Sequence, residues 1–344
     1  MAEFGVGVVG TGWVAGEHMV AWCANPHTEL LGVCSRTREG AERKVAEVGT
    51  ACQVFDSYEQ MLADPRIDIV SICSPPNMHV EQAVMAARAG KHICLEKAIA
   101  VDLDSLKHLR DEVAKAGVKT VVSFVLRWNP MFETVKAQLA DDTIGKVFYA
   151  ESDYYHGIGP WYGQWHWNIK KAVGGSSLLS AGIHSIDALR WFLGSEAVEV
   201  SSYSTRGNHP PFDKYEYDPT SVTMIKFANG TLGKVTSSIE NVSPYVFNVF
   251  LLGQKGTIKD NLVWSPAKYP GQTSWASYPT VLPDSGDVTH HPFQLEINHF
   301  VDCILADKES HTNVADAVKS HELAMAADMS AAQGGVPVKL PVLD

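Results

Sequence analysis

The sequence of 344 residues contains no long hydrophobic run, no cluster of basic residues and no CxxC pair. A membrane-spanning helix needs about 20 apolar residues in succession, so none is expected. Because the net charge is −11 and Lys and Arg are scattered, we expect no nucleic-acid partner. The start, MAEFGVGVVGTG, has no basic segment and its apolar run is broken by glycines, which predicts a first strand and not a signal peptide.

Cysteine is scarce as well, with six residues in the chain. Cys34, Cys73 and Cys94 fall inside predicted strands, where a thiol behaves as a small apolar side chain. A disulfide framework is therefore not expected, and we expect a reducing, cytoplasmic compartment. The remaining composition, 45% hydrophobic and 19% charged, is typical of a folded chain long enough for two domains.

Strand and helix patterns alternate through the first third of the chain. The predicted strands cover residues 4–9, 30–34, 67–73, 92–95 and 120–124. The predicted helices cover residues 13–24, 38–48, 57–63, 78–89 and 102–116, with C-caps at Gly90 and Gly117. Strands that are apolar on both faces and alternate with helices predict an α/β fold, with a doubly wound parallel sheet of the Rossmann type over residues 1–124.

The pattern changes after residue 125. The predicted elements are a helix at 177–193, strands at 198–204, 221–227, 231–238, 246–252 and 256–259, helices at 292–306 and 313–333, and a short strand at 336–340. Segment 262–290, rich in Pro, Ser and Gly, predicts a long surface loop or an interface arm. We expect residues 125–344 to form an α+β domain for substrate binding and oligomerisation, with an open, mostly antiparallel sheet whose last segment packs back on the first domain.

The first strand runs into a glycine motif. Gly10-Thr11-Gly12-Trp13-Val14-Ala15 matches G-x-G-x-x-G/A and opens a predicted helix. In this pattern the first glycine makes a tight turn, the second lets a pyrophosphate approach the backbone, and the helix N-terminus faces the phosphates. The segment from Gly10 to Val14 is therefore predicted to bind a dinucleotide.

The end of the second strand indicates which dinucleotide binds. Cys34-Ser35-Arg36-Thr37-Arg38 lacks the acid that binds an NAD ribose and carries two arginines, which suit a 2′-phosphate. NAD or NADP is expected, with NADP slightly favoured. In the alternative interpretation Arg36 stacks on adenine and Arg38 is a solvated charge.

A third loop, SPPNMH, follows residues 67–73 and lies at the edge of the sheet where ligands bind. Ser74, Pro75, Asn77 and His79 are predicted to line the nicotinamide side. His79 is equally well explained as a residue that starts the next helix.

The segment CLEKAIA places Glu96 and Lys97 at the end of another buried strand. A partly desolvated lysine beside a cofactor has a lowered pKa and can accept a proton near neutral pH. Glu96 is predicted to orient Lys97 or to bind the nicotinamide ribose. The alternative is a salt-bridged structural corner.

The segments GTGWVA, SPPNMH, AGKHICLEKAIA, GGSSLLSAGIHSIDALRWF and AAQGGVPVKLP follow in this order over nearly the whole chain. In them the sequence resembles the Gfo/Idh/MocA oxidoreductases, relatives of glucose-fructose oxidoreductase and inositol dehydrogenase. The resemblance implies a Rossmann domain, a C-terminal α/β domain whose open sheet often mediates oligomers, and hydride transfer between nicotinamide and a sugar or polyol carbon. It also implies that Lys97 and His184 are catalytic.

Two positions depart from the family pattern. The usual Glu-Lys-Pro is Glu96-Lys97-Ala98 here, and a cis peptide costs about 2.5–4 kcal/mol before a residue other than proline. If relatives use a cis turn, Lys97 is expected to be positioned differently. Ser180 stands where an aspartate is common, four residues before His184, and is predicted to bind a substrate hydroxyl from the same helix face. Asp187 is expected to orient His184 or to anchor the helix.

The segment YYHGIGPWYGQWHWN, residues 154–168, combines aromatic rings with polar groups, as a wall that binds sugar C–H faces and hydroxyls does. The predicted substrate contacts are His156, Trp161, Trp165, Trp167 and Asn168. In the alternative interpretation half of these aromatics pack the domain junction. Arg127, in RWNP, is predicted either near the nicotinamide or substrate or in a domain-linking salt bridge.

Metal binding is not expected, because the spacing of His290, His291 and His299 matches no metal motif. The sequence thus predicts an NAD(P)-dependent oxidoreductase that acts on a hydroxyl of a sugar, polyol or glycoside, with the glycoside 3-hydroxyl as one specialisation. Its expected partners are a small carbohydrate and further copies of itself, in a dimer or tetramer. Two alternatives remain: a glycosidase that uses NAD for a transient 3-keto intermediate, and a non-catalytic dinucleotide-binding sensor.

Overall fold

A computed structural model describes residues 2–283 and 291–343. The chain divides into two compact units, which we call unit 1 (residues 1–124 and 293–318) and unit 2 (residues 125–292 and 319–344). No helix in the described part of the chain combines the length and the hydropathy needed to cross a membrane.

Unit 1 contains a six-stranded parallel sheet with the strand order β3-β2-β1-β4-β5-β6. Its strands are Phe4–Val9 (β1), Thr28–Cys34 (β2), Gln53–Val54 (β3), Ile69–Ile72 (β4), His92–Leu95 (β5) and Thr120–Val122 (β6). The strand order reverses between β1 and β4, and in doubly wound sheets ligands bind at the carboxyl ends of the strands at that point. This confirms the predicted sheet.

The helices of the described residues are Trp13–Ala24 (α1), Arg38–Val48 (α2), Tyr58–Ala63 (α3), His79–Arg88 (α4), Leu103–Ala116 (α5), Pro130–Ala140 (α6), Trp165–Asn168 (α7), Lys171–Gly174 (α8), Ile183–Leu193 (α9), Phe293–Leu305 (α10) and Val314–Ala332 (α11). Local capping explains several bounds. The Thr37 side chain accepts a hydrogen bond from Gly40 N before α2, and Asp102 accepts one from Ser105 N before α5. Helix α10 packs on α1 within unit 1, where Asn25 donates a hydrogen bond to Asn298.

Unit 2 contains a nine-stranded sheet with the order β14-β13-β12-β11-β7-β10-β9-β8-β15. Its strands are Val147–Tyr155 (β7), Ala197–Thr205 (β8), Thr220–Phe227 (β9), Leu232–Ser238 (β10), Val246–Gly253 (β11), Thr257–Lys259 (β12), Leu262–Trp264 (β13), Ala276–Ser277 (β14) and Val338–Lys339 (β15). The neighbours are antiparallel except for β7 and β10, which run parallel. The predicted fold class is therefore confirmed.

The sequence patterns missed α6 and β7 and predicted irregular structure where β13 and β14 form. The end of the predicted 262–290 loop, residues 284–290, lies outside the described residues. The predicted helix at 177–193 has two parts, a π-helical turn at Leu178–Gly182 followed by α9. That turn contains Ser180, so Ser180 and His184 do not lie on one regular α-helical face.

Candidate active site

The glycine motif forms a turn between β1 and α1. Gly10 has a φ of +110°, and a Cβ added to it would lie 2.5 Å from the Cys73 carbonyl oxygen, so only glycine fits there. Gly12 caps α1 without a side-chain hydrogen bond, and a Cβ on it would meet no atom within 4 Å. The first amides of α1 therefore face open space, as a dinucleotide pyrophosphate requires. Thr11, Trp13 and Val14 complete this partly exposed turn.

The loop after β2 contains the residues predicted to select the cofactor. Ser35 Oγ donates to the Thr37 carbonyl oxygen at 2.7 Å. Arg38 is bound by two carboxylates, those of Glu42 and Asp56. Arg36 is exposed and makes no ion pair with the described residues. Of the two arginines, Arg36 is the one available to a ligand.

The loop after β4 is tied to the loop after β5 by His79. The buried His79 ring places Nε2 2.7 Å from the Ser74 carbonyl oxygen and Nδ1 2.7 Å from the Ala98 carbonyl oxygen. Burial lowers the pKa of His79. Pro75 and Asn77 are exposed at the tip of the loop. His79 thus positions the chain next to Lys97.

Lys97 follows β5 and its peptide bond to Ala98 is cis. The sequence has Ala98 where the family pattern has proline, which raised the question whether a cis turn could form here. The structure has the cis turn with alanine at that position. The side chain of Lys97 is half-buried, and burial lowers its pKa while the negative charge of Glu96 opposes that shift. Its backbone N donates to Glu96 Oε2 at 3.2 Å. The amine is thus less basic than an exposed lysine.

A buried cluster of polar side chains lies behind Lys97, and we call it the acid–histidine cluster: His18, Ser71, Glu96, Ser123 and Glu296. His18 Nε2 lies 3.0 Å from Glu96 Oε1, and His18 Nδ1 lies 2.8 Å from Ser71 Oγ. Ser123 Oγ donates to Glu296 Oε2 at 3.0 Å. Sequence reasoning missed His18 and Glu296, although each is a polar residue within an apolar helix.

The charges of this cluster follow from burial and proximity. Burial alone would lower the pKa of His18, but the neighbouring Cys73 and Cys94 raise it well above the ordinary value. Burial alone would raise the pKa of Glu96, but His18 and then Lys97 lower it. Burial raises the pKa of Glu296 to about 8, and the charge of Glu96 adds to that rise while His18 opposes it. At neutral pH Glu296 therefore keeps its proton.

In unit 2, a buried ion pair anchors the helix that carries His184. Arg127 Nε donates to Asp187 Oδ2 at 2.7 Å and Arg127 Nη2 donates to Oδ1 at 2.6 Å. Ser320 Oγ donates to the same carboxylate at 2.9 Å. Both residues of this pair belong to unit 2, so the pair with Asp187 is not the domain-linking salt bridge of the alternative interpretation. Of the two roles expected for Asp187, these contacts fit the anchoring of its helix, α9.

His184 is buried at one end of a group of aromatic rings. Its ring stacks on Tyr154 with a centroid distance of 6.4 Å and an angle of 19°. Tyr154 in turn contacts His156 at 6.1 Å and Tyr245 at 5.1 Å, measured between centroids. Sequence reasoning missed Tyr245, and it quoted Tyr154 only as part of the aromatic segment. The antiparallel pairing of β7 with β11 brings Tyr154 and His156 close to Tyr245, which directly precedes β11.

The aromatic segment of residues 154–168 divides into two groups. His156 and Trp161 line a cleft of about 530 Å³ in unit 2. Trp165 packs its edge on Tyr215, and Trp167 is half-buried in the same short helix, α7. Asn168 is buried and its backbone oxygen accepts a hydrogen bond from Tyr217 at 2.7 Å. Of the five predicted substrate contacts, the structure thus brings two to this cleft.

The described residues contain no group of three or more His, Cys, Asp or Glu side chains arranged to hold a metal ion. His299 Nε2 lies 3.0 Å from Ser310 Oγ. His290 lies outside the described residues.

Comparisons with known proteins agree with this geometry. Residues 4–124 match a family model described as "Oxidoreductase family, NAD-binding Rossmann fold", and residues 132–259 match one described as "GFO/IDH/MocA C-terminal domain". The scyllo-inositol 2-dehydrogenase (NAD(+)) of Bacillus subtilis is 29% identical, over 92% of this chain and 90% of that protein. The D-glucoside 3-dehydrogenase of Escherichia coli is 28% identical, over 73% of this chain and 75% of that protein.

A solved structure shows the same fold. Levoglucosan dehydrogenase in complex with NADH and levoglucosan superimposes with a TM-score of 0.89, at 22% sequence identity, over 98% of this chain and 99% of that one.

Proposed function

The chain belongs to the Gfo/Idh/MocA oxidoreductases, and from this membership we propose that it oxidises a secondary hydroxyl of a sugar, polyol or glycoside with a nicotinamide dinucleotide. The observation that carries the proposal is Lys97, a half-buried amine of lowered pKa at the carboxyl end of β5. Ligands of doubly wound sheets bind at this edge.

In the proposed reaction the two hydrogens of the carbinol leave separately. A nicotinamide dinucleotide held at the Gly10–Val14 turn would supply the acceptor for the hydride, and the hydride carries both electrons of the C–H bond. Lys97 Nζ accepts the hydroxyl proton as the carbonyl forms, and it returns that proton in the reverse direction. We assign to His184 a hydrogen bond to the reacting oxygen or the role of alternate base.

The names of the relatives support this substrate class, because each relative is named after an uncharged polyhydroxyl compound. One relative is named for scyllo-inositol and another for D-glucoside oxidation at carbon 3. We propose the 3-hydroxyl of a glycoside as the preferred site, because the aromatic rings beside His184 suit a pyranose ring.

The form of the cofactor depends on the loop after β2. Because Arg38 is already bound by Glu42 and Asp56, we propose that Arg36 alone binds a 2′-phosphate and permits the use of NADP beside NAD.

The open face of the unit 2 sheet supports a homo-oligomer. Tyr203 lies opposite Val222 on neighbouring strands, and both are exposed together with Met224 and Leu232. These side chains alternate with the ion pairs Lys226–Glu199 and Lys234–Glu151. Exposed apolar residues mixed with charged pairs are compatible with an interface between subunits. The double variant Val222→Lys and Met224→Lys is expected to lower the mass measured by light scattering.

The deciding experiment is a substrate scan. Purified protein is mixed with NAD or NADP and with single sugars, polyols and methyl glycosides, and reduced nicotinamide is followed by absorbance. Reduction that depends on both partners supports the proposal. Cleavage of a glycoside without added cofactor would favour the glycosidase, and binding of cofactor with no turnover across the scan would favour the sensor.

A further inference from the structure

Trp161 is an unusually exposed aromatic residue with a fixed position. Its side chain is 68% exposed, yet a Cβ added to Gly159 would lie 2.4 Å from the indole ring. The ring therefore packs directly on the backbone at Gly159. Its edge also contacts Phe212, at 6.0 Å and 90°. An indole held on one side and open on the other presents a flat, preformed platform.

The platform forms one wall of the cleft of about 530 Å³, a volume in the range of small-molecule sites. His156, Asn241, Ser243 and Tyr245 also line the cleft and supply its polar groups. The described residues that line the cleft include no Asp, Glu, Lys or Arg, so the cleft suits an uncharged ligand.

The cleft also offers hydrogen-bonding groups. Asn241 Nδ2 donates to Ser243 Oγ at 2.5 Å, and Asn241 Oδ1 has no donor among the described residues. Amide and hydroxyl side chains such as these two form hydrogen bonds with sugar hydroxyls. Aromatic faces beside hydroxyl-binding groups, without formal charge, are typical of a carbohydrate site.

The rings connect this cleft to His184 within unit 2. His156 lines the cleft, contacts Tyr154 at 6.1 Å, and Tyr154 stacks on His184 at 6.4 Å. Two successive ring contacts separate the cleft from the imidazole. The cleft is therefore a separate position from His184, and we expect that a ligand which occupies both needs more than one ring.

We propose that the Trp161 cleft binds the second ring, glycosyl or aryl, of a neutral glycoside whose first ring is oxidised next to His184. This inference rests on the proposed function and narrows its substrate class. Trp161 is then a specificity residue, since a free monosaccharide or a methyl glycoside has no second ring to contact it.

The test compares kcat/KM for three glycosides of one sugar: methyl, phenyl and glycosyl. We expect the wild type to prefer a two-ring substrate over the methyl glycoside by about tenfold or more, since each 1.4 kcal/mol of added binding is a factor of ten. Trp161→Ala should remove that preference and leave the methyl glycoside unchanged within about twofold, and Trp161→Phe should restore part of it. The phenyl and glycosyl arms identify which second ring is bound.

Trp275→Ala is the matched control, because Trp275 is an exposed tryptophan on β14 that packs on Trp264 away from the cleft. Gly159→Ala is a second variant, expected to displace the indole ring and to give the same loss as Trp161→Ala.

A wild type that oxidises the methyl glycoside at least as well as both two-ring substrates overturns this inference and leaves the proposed function standing. A wild type that oxidises none of the three glycosides but oxidises a free sugar or polyol also overturns the inference, whereas a wild type that oxidises no compound of the substrate scan contradicts the proposed function itself. If Trp161→Ala keeps the wild-type preference for two-ring substrates over the methyl glycoside, the inference is also overturned.

Discussion

His18 Nε2 lies 3.0 Å from Glu96 Oε1, and both side chains are buried immediately behind Lys97. The pair fixes the carboxylate whose second oxygen accepts the Lys97 backbone N–H. Removing one partner of a buried pair leaves an uncompensated charge. The pair thus links the stability of unit 1 to the position of the proposed base.

His18→Leu is therefore expected to lower the free energy of unfolding by about 3–5 kcal/mol, because it leaves Glu96 buried without its partner. Urea unfolding followed by tryptophan fluorescence measures this loss. The control is His27→Leu, which removes a partly exposed pair with Glu3 and should cost about 1 kcal/mol or less. Equal losses in the two variants would show that the pair at His18 contributes no more than a surface contact.

Lys97→Met is expected to lower kcat by about 10²–10⁴-fold, the usual contribution of a positioned base, with little change in cofactor affinity. The pH dependence follows from the lowered pKa: oxidation requires the unprotonated amine, so wild-type kcat falls as the pH drops through the pKa of Lys97, which lies below 10.5. Initial rates and cofactor fluorescence titrations measure both effects. Lys107→Met, on the exposed face of α5, is the control and should behave as wild type. If Lys97→Met keeps the wild-type kcat and pH profile, Lys97 is not the base of the reaction.

Glu296 makes stability depend on pH. In the folded chain it keeps its proton up to a pH of about 8, whereas an ordinary glutamate loses it near 4.5. Between these values the folded state binds more protons than the unfolded state, so the free energy of unfolding falls as the pH rises, by at most about 1.4 kcal/mol per unit from this group.

Glu296→Gln keeps the contact with Ser123 and does not titrate, so it is expected to remove this slope and to gain stability relative to wild type from pH 5 to pH 8. Thermal unfolding at several pH values measures the difference. Glu39→Gln, on the exposed first turn of α2, should leave the slope unchanged. A slope that is the same in wild type and in Glu296→Gln would mean that the carboxyl group is ionised in the folded protein.

The roles of the two arginines after β2 are separable. Arg36→Ala is expected to lower kcat/KM for NADP about tenfold or more while that for NAD changes little, since a hydrogen bond to a charged group contributes about 1.5–3 kcal/mol. Arg38→Ala is the matched control, because Glu42 and Asp56 already bind that guanidinium. Steady-state kinetics with both cofactors measure the ratio. A larger loss in Arg38→Ala than in Arg36→Ala would reverse the assignment.

Local signals explain what the sequence predicted well. The bounds of α1 and α2 were predicted without error, because a glycine turn precedes the first and Thr37 caps the second. The loops after β1, β2, β4 and β5 follow from the apolar strands before them. Strand β7 was missed because its aromatic residues suggested a binding wall and not a strand.

Contacts between distant segments were not predictable in the same way. His18 and Glu296 come from helices far apart in the chain, and nothing in either helix indicates that the two side chains share one cluster. The π-helical turn at Ser180 has no local signal, since its sequence is that of an ordinary helix. Arg127 and Asp187 were both singled out, but their pairing depends on how α9 packs.

The Arg127–Asp187 pair provides the last prediction. Arg127→Met alone is expected to lower the free energy of unfolding by about 3–5 kcal/mol, because it leaves the buried Asp187 without its ion-pair partner. The double variant Arg127→Met and Asp187→Leu should lose less than the sum of the single losses, since apolar residues of similar volume replace a buried pair with little loss. Urea unfolding of all four proteins measures the coupling. Additive losses would show that the two side chains stabilise unit 2 independently, and α9 would then need another anchor for His184.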